Sequence, residues 1–187
     1  MRIGFAFCGS FCTIHEAFLE LVKLKQPGVE IVPILSERVF ETDTRFGMAL
    51  GLRRQIEEQC GAKIIHTIPD AEPLGPKDPL DILVICPCTG NTLAKLANGI
   101  TDTAVTMAAK AHLRTDRPLV IALASNDAMS ANLKNIATLL SRKSVYFVPM
   151  KQDDPVKKPH SLVADFSMLP LSIEKALHGE QTYPVFL

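Results

Sequence analysis

The segment Asp81-Ile82-Leu83-Val84-Ile85-Cys86-Pro87-Cys88-Thr89-Gly90-Asn91-Thr92 decides the fold. Its first half is short, β-branched and uniformly apolar, the composition of a strand covered on both faces. Beyond it, Leu93, Leu96, Ala97 and Ile100 recur at helical spacing, a stripe that faces a core. The residues from Cys86 to Thr92 therefore read as a strand-to-helix turn. Hydroxyls, a glycine and an amide gather there, where free N–H groups and the positive end of a helix dipole await an anion. Such a turn suits a phosphate or a planar heterocycle of the flavin kind.

Working outward, strands alternate with helical patterns. Arg2–Cys8 reads as the first strand and Glu30–Leu35 as the second, with a helix between them bearing Ile14, Phe18, Leu21 and Val22. A helix with Ala49, Leu52, Ile56 and Cys60 inward leads to a short third strand, Lys63–His66. A connection rich in proline precedes the fourth strand, Asp81–Cys86. Pro118–Ala124 is the fifth, and a helix with Leu133, Ile136, Ala137 and Leu140 leads to the sixth, Ser144–Val148. Lys151–His160 is a polar loop or lid broken by prolines, and Phe166, Leu169, Ile173 and Leu177 mark a last helix weakened at Pro170.

This alternation predicts an α/β fold: a doubly wound, three-layer αβα sandwich on a six-stranded parallel sheet, Rossmann-like. Residues 1–187 are read as a single domain, with 151–187 its polar loop and C-terminal tail. In the common order 3-2-1-4-5-6, strands one and four meet at the switch point. The turn Gly9-Ser10-Phe11 would then face the Cys86–Thr92 turn across one crevice.

Composition narrows the class. Twenty basic residues balance twenty acidic ones among 187, which argues against a general nucleic-acid or anionic-membrane surface. No apolar run has the length of a membrane span. The apolar start is soon interrupted by Ser10, Thr13, His15 and Glu16, and reads as a core strand rather than a secretion signal. Five cysteines without a regular framework fit a reducing cytoplasm. Cys8, Cys12, Cys86 and Cys88 would share the crevice, but their spacings are not those of metal sites, and no metal is expected. Gly9-Ser10 lacks the glycines of a dinucleotide fingerprint, so this chain is not expected to hold a nicotinamide cofactor. Taken alone, that turn is equally a tight turn or a phosphate contact. His160 lies beside Lys157 and Lys158 in the polar loop, where it either helps attract an anion or is simply solvated.

Pro87-Cys88-Thr89-Gly90-Asn91-Thr92 resembles the Pro-x-Ser-x-Asn-Thr signature of the FMN-binding flavoproteins, which include phosphopantothenoylcysteine decarboxylase and flavin prenyltransferase. Asn98-Gly99-Ile100-Thr101-Asp102 matches the Asn-Gly-x-x-Asp that follows it, and Ser36 matches a hydroxyl residue at the end of strand two. The resemblance implies FMN held by Gly9, Ser10, Phe11, Ser36, Thr89, Gly90, Asn91, Thr92, Ser125 and Asn126. It also implies an oligomer, a trimer or larger.

The departures narrow the reaction. Pro73-Leu74-Gly75-Pro76 replaces the decarboxylases' His-Ile-x-Leu, the chain has no tryptophan, and Ala124 or Ser125 stands where the prenyltransferases place an arginine. These features count against an FMN-dependent decarboxylase or a prenyltransferase, which remain the alternatives.

Including Gln152-Asp153-Asp154-Pro155 and Pro159-His160-Ser161-Leu162, the chain is most similar to a branch of B subunits from spore-forming bacteria. That resemblance implies an oxidoreductase with a partner A subunit that carries NAD(P). Together they would dehydrate and oxidise a cyclic hydroxy-tetrahydrodipicolinate to the aromatic pyridine dicarboxylate of spores. Asn91 is the expected catalytic residue, orienting flavin or substrate. Arg38, Arg45, Lys157 and Lys158 are expected to pair with the carboxylates. A non-catalytic scaffold that activates the A subunit is the other alternative.

Overall fold

The computed structural model describes all residues, Met1 to Leu187. The strands are β1 (Arg2–Phe7), β2 (Glu30–Leu35), β3 (Ile82–Cys88), β4 (Leu119–Ser125), β5 (Val145–Phe147), β6 (Met150–Lys151) and β7 (Leu162–Ala164). The helices are α1 (Ile14–Leu24), α2 (Glu37–Glu41), α3 (Ala49–Cys60), α4 (Ile68–Ala71), α5 (Gly90–Ala97), α6 (Ala104–Leu113), α7 (Leu133–Leu140) and α8 (Leu169–Leu177).

The sheet runs β2-β1-β3-β4, with β5 pairing parallel along the first half of β4 and β7 antiparallel along its end. Alternate residues of each strand feed two cores, which makes three layers. Leu83, Ile85, Ile121 and Leu123 pack with Leu93, Val105, Ala108 and Ile136 on one face. Ile82, Val84, Val120 and Ala122 pack with Ala17, Leu21, Ile56 and Ile173 on the other. The predicted neighbours, strands one and four, are adjacent as β1 and β3, so the switch point stands at the expected place.

Three expectations need correction. Lys63–His66 is not a strand but a single bridge, Ile65 to Ile34. The Ile65 N–H donates to the Pro33 carbonyl, and the Leu35 N–H donates to the Ile65 carbonyl. The next bond of that ladder needs an N–H from Pro33, and proline has none.

The second concerns the sheet, which is mixed rather than all-parallel. Beyond Val148 the chain reverses, and the β6–β7 pair, antiparallel, adds onto the end of β4. Lys151–His160 is the connection between those two strands, with Lys151 itself inside β6. The third is Pro170, which is no weakness: it lies in the first turn of α8, where the missing N–H would have no helical partner. Helices α2, α4 and α6 lie in stretches where the sequence reading placed none. Helix α6 opens on a capping box, with Thr103 and Thr106 satisfying each other's N–H groups.

His112, near the end of α6, is fully buried. Its Nε2–H donates to the Pro118 carbonyl at 2.9 Å, while Nδ1 has no partner. Burial holds its pKa below the ordinary imidazole value, against the pull of that carbonyl. The unfolded chain therefore binds the proton more readily. The neutral imidazole's contribution is intact above about pH 6.5 and is lost as the pH falls below it. Comparing melting temperatures from about pH 7.5 to about 5.5 should show His112→Gln less acid-sensitive than the unsubstituted chain. Parallel declines would contradict this.

Candidate functional site

The carboxyl ends of β1, β2, β3 and β4 build the crevice. Tying β1 to β3, the Cys8 N–H donates to the Pro87 carbonyl at 3.1 Å. Strand β3 runs on to Cys88, two residues past its predicted end, so the turn itself begins only at Thr89. The Thr89 hydroxyl caps α5 by accepting the Thr92 N–H, and the Thr92 hydroxyl donates to the Cys8 sulfur at 3.3 Å. Both hydroxyls are thus committed to the protein's own framework. What this turn leaves open are the N–H groups of Gly90 and Asn91 and the exposed Asn91 amide.

Across the switch point, the N–H groups of Gly9, Phe11 and Cys12 find no acceptor in the chain, a donor set suited to a phosphate. Ser10 accepts from the Thr13 hydroxyl at 3.0 Å. Arg38 flanks this turn, its Cβ 3.9 Å from where a Gly9 side chain would begin. Ser36, buried, caps α2 through a long 3.5 Å bond from the Val39 N–H. Glu37 beside it accepts the Ala104 N–H at 3.0 Å, tying the end of β2 to the start of α6. The free donors, the hydroxyls and Arg38 fit an FMN phosphate at this turn.

Beside the expected Ser125 and Asn126, the turn after β4 holds Asp127, which sequence reading missed. Asp127 accepts a hydrogen bond from the Ser125 hydroxyl and two from Asn132 Nδ2, at 2.9 and 3.0 Å. Asn132 is buried and in turn accepts from Asn135 Nδ2 at 2.8 Å. The Ser125 bond, followed by those from Asn132, holds the Asp127 carboxyl below its usual range. The network presses on Gly90: a Cβ there would overlap Ser125 Oγ and lie 2.8 Å from Asp127 Oδ1. A carboxylate of the protein itself therefore sits near the start of α5. Its sequence signal was the polar run Ser125-Asn126-Asp127 directly after a buried strand. Asn126 accepts from the Ser161 hydroxyl at 3.5 Å, and the Met129 N–H donates to the His160 carbonyl, so the polar loop is tethered here.

The four expected substrate cations lie on three separate segments, Arg38 in α2, Arg45 before α3, and Lys157 and Lys158 in the polar loop. Lys158 pairs with Asp153 at 2.7 Å, a contact that raises its pKa. Lys157 is exposed, and Arg45 lies 4.8 Å over the ring of Phe46 in the turn before α3. Cys8, Cys86 and Cys88 are buried as neutral thiols, Cys8 pushed up to about 11 by loss of solvent and only partly relieved by Thr92. The second motif ends α5: Gly99 takes φ 70°, the Asn98 amide donates to the Ala94 carbonyl, and Asp102 pairs with Lys95. A cleft of about 400 Å³ opens beside Phe11 and Cys12 of the same turn, walled by Phe18, Phe46, Met48 and Leu52, with His15 its one basic side chain. No helix is long and apolar enough to cross a membrane.

Known proteins share this fold. The chain is 46% identical over 186 residues to the B subunit of dipicolinate synthase from Bacillus subtilis, a match spanning 100% of this chain and 93% of that protein. The crystal structure of the corresponding B subunit from Bacillus halodurans superposes with a TM-score of 0.91 at 42% identity, covering 100% of this chain and 95% of that one. An FMN-dependent cysteine decarboxylase follows with a TM-score of 0.68 at 26% identity, covering 94% of this chain and 97% of that one. A family model described as Flavoprotein matches residues 1–168. With the crevice at its switch point and a relative of nearly half identity along its whole length, the chain belongs to the flavoprotein family.

Proposed function

We propose that this chain is the B subunit of a two-subunit dipicolinate synthase, working as a single flavoprotein-like domain in the cytoplasm of a sporulating cell. Similarity across the full chain, 46% to one such subunit, carries the reading. The substrate is a cyclic hydroxy-tetrahydrodipicolinate, which loses water and two hydrogens to become aromatic. The A subunit holds NAD(P), in keeping with the missing dinucleotide fingerprint here. The chain assembles as a homo-oligomer, trimeric or larger.

FMN, when bound, supplies a hydride acceptor. Its phosphate would be held by the free N–H groups after β1 with Ser10, Ser36 and Arg38, with Phe11 closing that end. Thr89, Gly90 and Thr92 shape the second wall, where the Asn91 amide would orient a bound ring. Ser125 and Asn126 face it from the end of β4. Lys158, near Cys12, meets one substrate carboxylate on exchanging its contact with Asp153. Lys157, in the same loop, Arg45, before α3, and Arg38, beside the Gly9 turn, are the candidates for the second.

The test is product formation by the A subunit alone, with this chain, and with Asn91→Ala. Added chain should raise the rate, and Asn91→Ala should lower it at least ten-fold. An A subunit fully active alone would end the proposal. A colourless chain that still activates its partner would instead make it a scaffold.

A further inference from the structure

Loss of water turns the hydroxy-tetrahydro ring into a dihydropyridine, and oxidising its N–H tautomer to a pyridine removes a hydride from carbon and a proton from the ring nitrogen. The hydride has its acceptors under the reading above, on which this inference rests. The nitrogen's proton needs a base near the ring. We infer that Ser125 and Asp127 form that base: Ser125 Oγ takes the N–H proton as its own proton passes to Asp127.

The geometry has three parts. The Ser125 hydroxyl donates to Asp127 Oδ1 and receives no hydrogen bond from the chain, so it offers a ligand only acceptor lone pairs. It therefore selects a donor such as a ring N–H. Its place is at the crevice wall, in the room that Gly90 leaves by lacking a side chain, one residue from the Asn91 amide. Asp127 is locked from behind. Asn135 donates to Asn132 Oδ1, which fixes the Asn132 amide with both contacts of its nitrogen on the carboxylate. Neither asparagine can flip without leaving a buried polar atom unpaired. Asp127 is itself solvent-exposed, so a proton reaching it has a way out to water.

The step balances. The ring C–H bond breaks and its electron pair leaves with the hydrogen to a flavin or nicotinamide acceptor. The N–H bond breaks and its electron pair stays in the ring, completing the aromatic sextet. One proton moves from nitrogen to Ser125 Oγ, and one from Ser125 to Asp127, which then loses it to solvent. The carboxyl is ionised and only weakly basic, so its protonation is transient and aromatisation supplies the driving force.

The experiment compares the chain with Ser125→Ala and Asp127→Ala, each assembled with the A subunit and given the hydroxy-tetrahydrodipicolinate. Both variants should lose about a hundred-fold or more in kcat with KM nearly unchanged, as loss of a general base does. Added formate should restore part of the rate to Asp127→Ala and none to Ser125→Ala. A solvent deuterium effect on the unsubstituted complex should vanish in both. A rise in KM with kcat kept, or full rates in Ser125→Ala, would overturn the relay while leaving the proposed function standing. If Asp127→Ala fails to fold, Ser125→Ala decides alone, through its kcat and isotope effect. An unsubstituted complex that forms no product would overturn both.

Discussion

Phe7→Ala is expected to remove about 3–5 kcal/mol of unfolding free energy, the usual loss for deleting a core aromatic. Phe7 is wholly buried as the last residue of β1, its ring centroid 5.0 Å from that of Phe5. It pairs with Leu35 of β2 and belongs to the core that also holds Ile14, Ala17 and Val84, drawn from α1 and β3, so no single element can shift to refill the space. The residue also anchors the crevice floor. Its carbonyl accepts the Ser36 N–H at 3.0 Å, and the next residue, Cys8, bonds across to Pro87. Denaturant unfolding checks this, and a shift below about 1 kcal/mol at constant slope would contradict it. Phe7→Leu, which keeps most of the volume, should lose far less.

Gly90→Ala is the second large effect, and it runs against helix propensity. Alanine within a helix normally gains about 1 kcal/mol over glycine. At the first position of α5 the new methyl would overlap Ser125 Oγ and lie 2.6 Å from Asn132 Nδ2. Those two groups and Asp127 are one hydrogen-bonded unit with a buried member, so none can retreat alone. A loss of about 1–3 kcal/mol is expected, as for overpacked cores. Activity with the A subunit should fall more than ten-fold, since the displaced atoms belong to the crevice wall. Gly51→Ala is the control: it lies inside α3 with nothing within 4 Å of the added carbon, and it should stabilise slightly. Equal melting temperatures for the two variants would refute the packing argument.

The strands and the helices between them were legible wherever one residue pattern ruled a stretch. Ile82–Ile85 is apolar without a break because both of its faces are covered, and Leu133–Leu140 keeps a helical stripe because one face is. Lys63–His66 failed because its pairing depended on Pro33, some thirty residues earlier, which its own composition cannot report. The helix α6 was passed over because its buried face is mostly alanine, which carries little apolar contrast. The strand β7, three residues long, depends on an open edge at the end of β4, a vacancy no local pattern announces.

The site divides in the same way. Thr89-Gly90-Asn91-Thr92 is recognisable from sequence because residue type and spacing at a strand-to-helix junction are local matters. Which of its groups stay free for a ligand is not local. Two of its three polar side chains are spent on a helix cap and on a cysteine of another strand, and only contacts across the sheet decide that. Asp127 makes the point more strongly, since its role arises from meeting Gly90 and Asn132 at once. By itself, then, the sequence determined the layered fold, the switch point and the turn that marks it, because these follow from periodicity and backbone chemistry within short stretches. Tertiary structure alone decided which donors remain open, where the mixed edge forms and which carboxylate packs against Gly90, because hydrogen bonds and close packing are settled between residues distant along the chain.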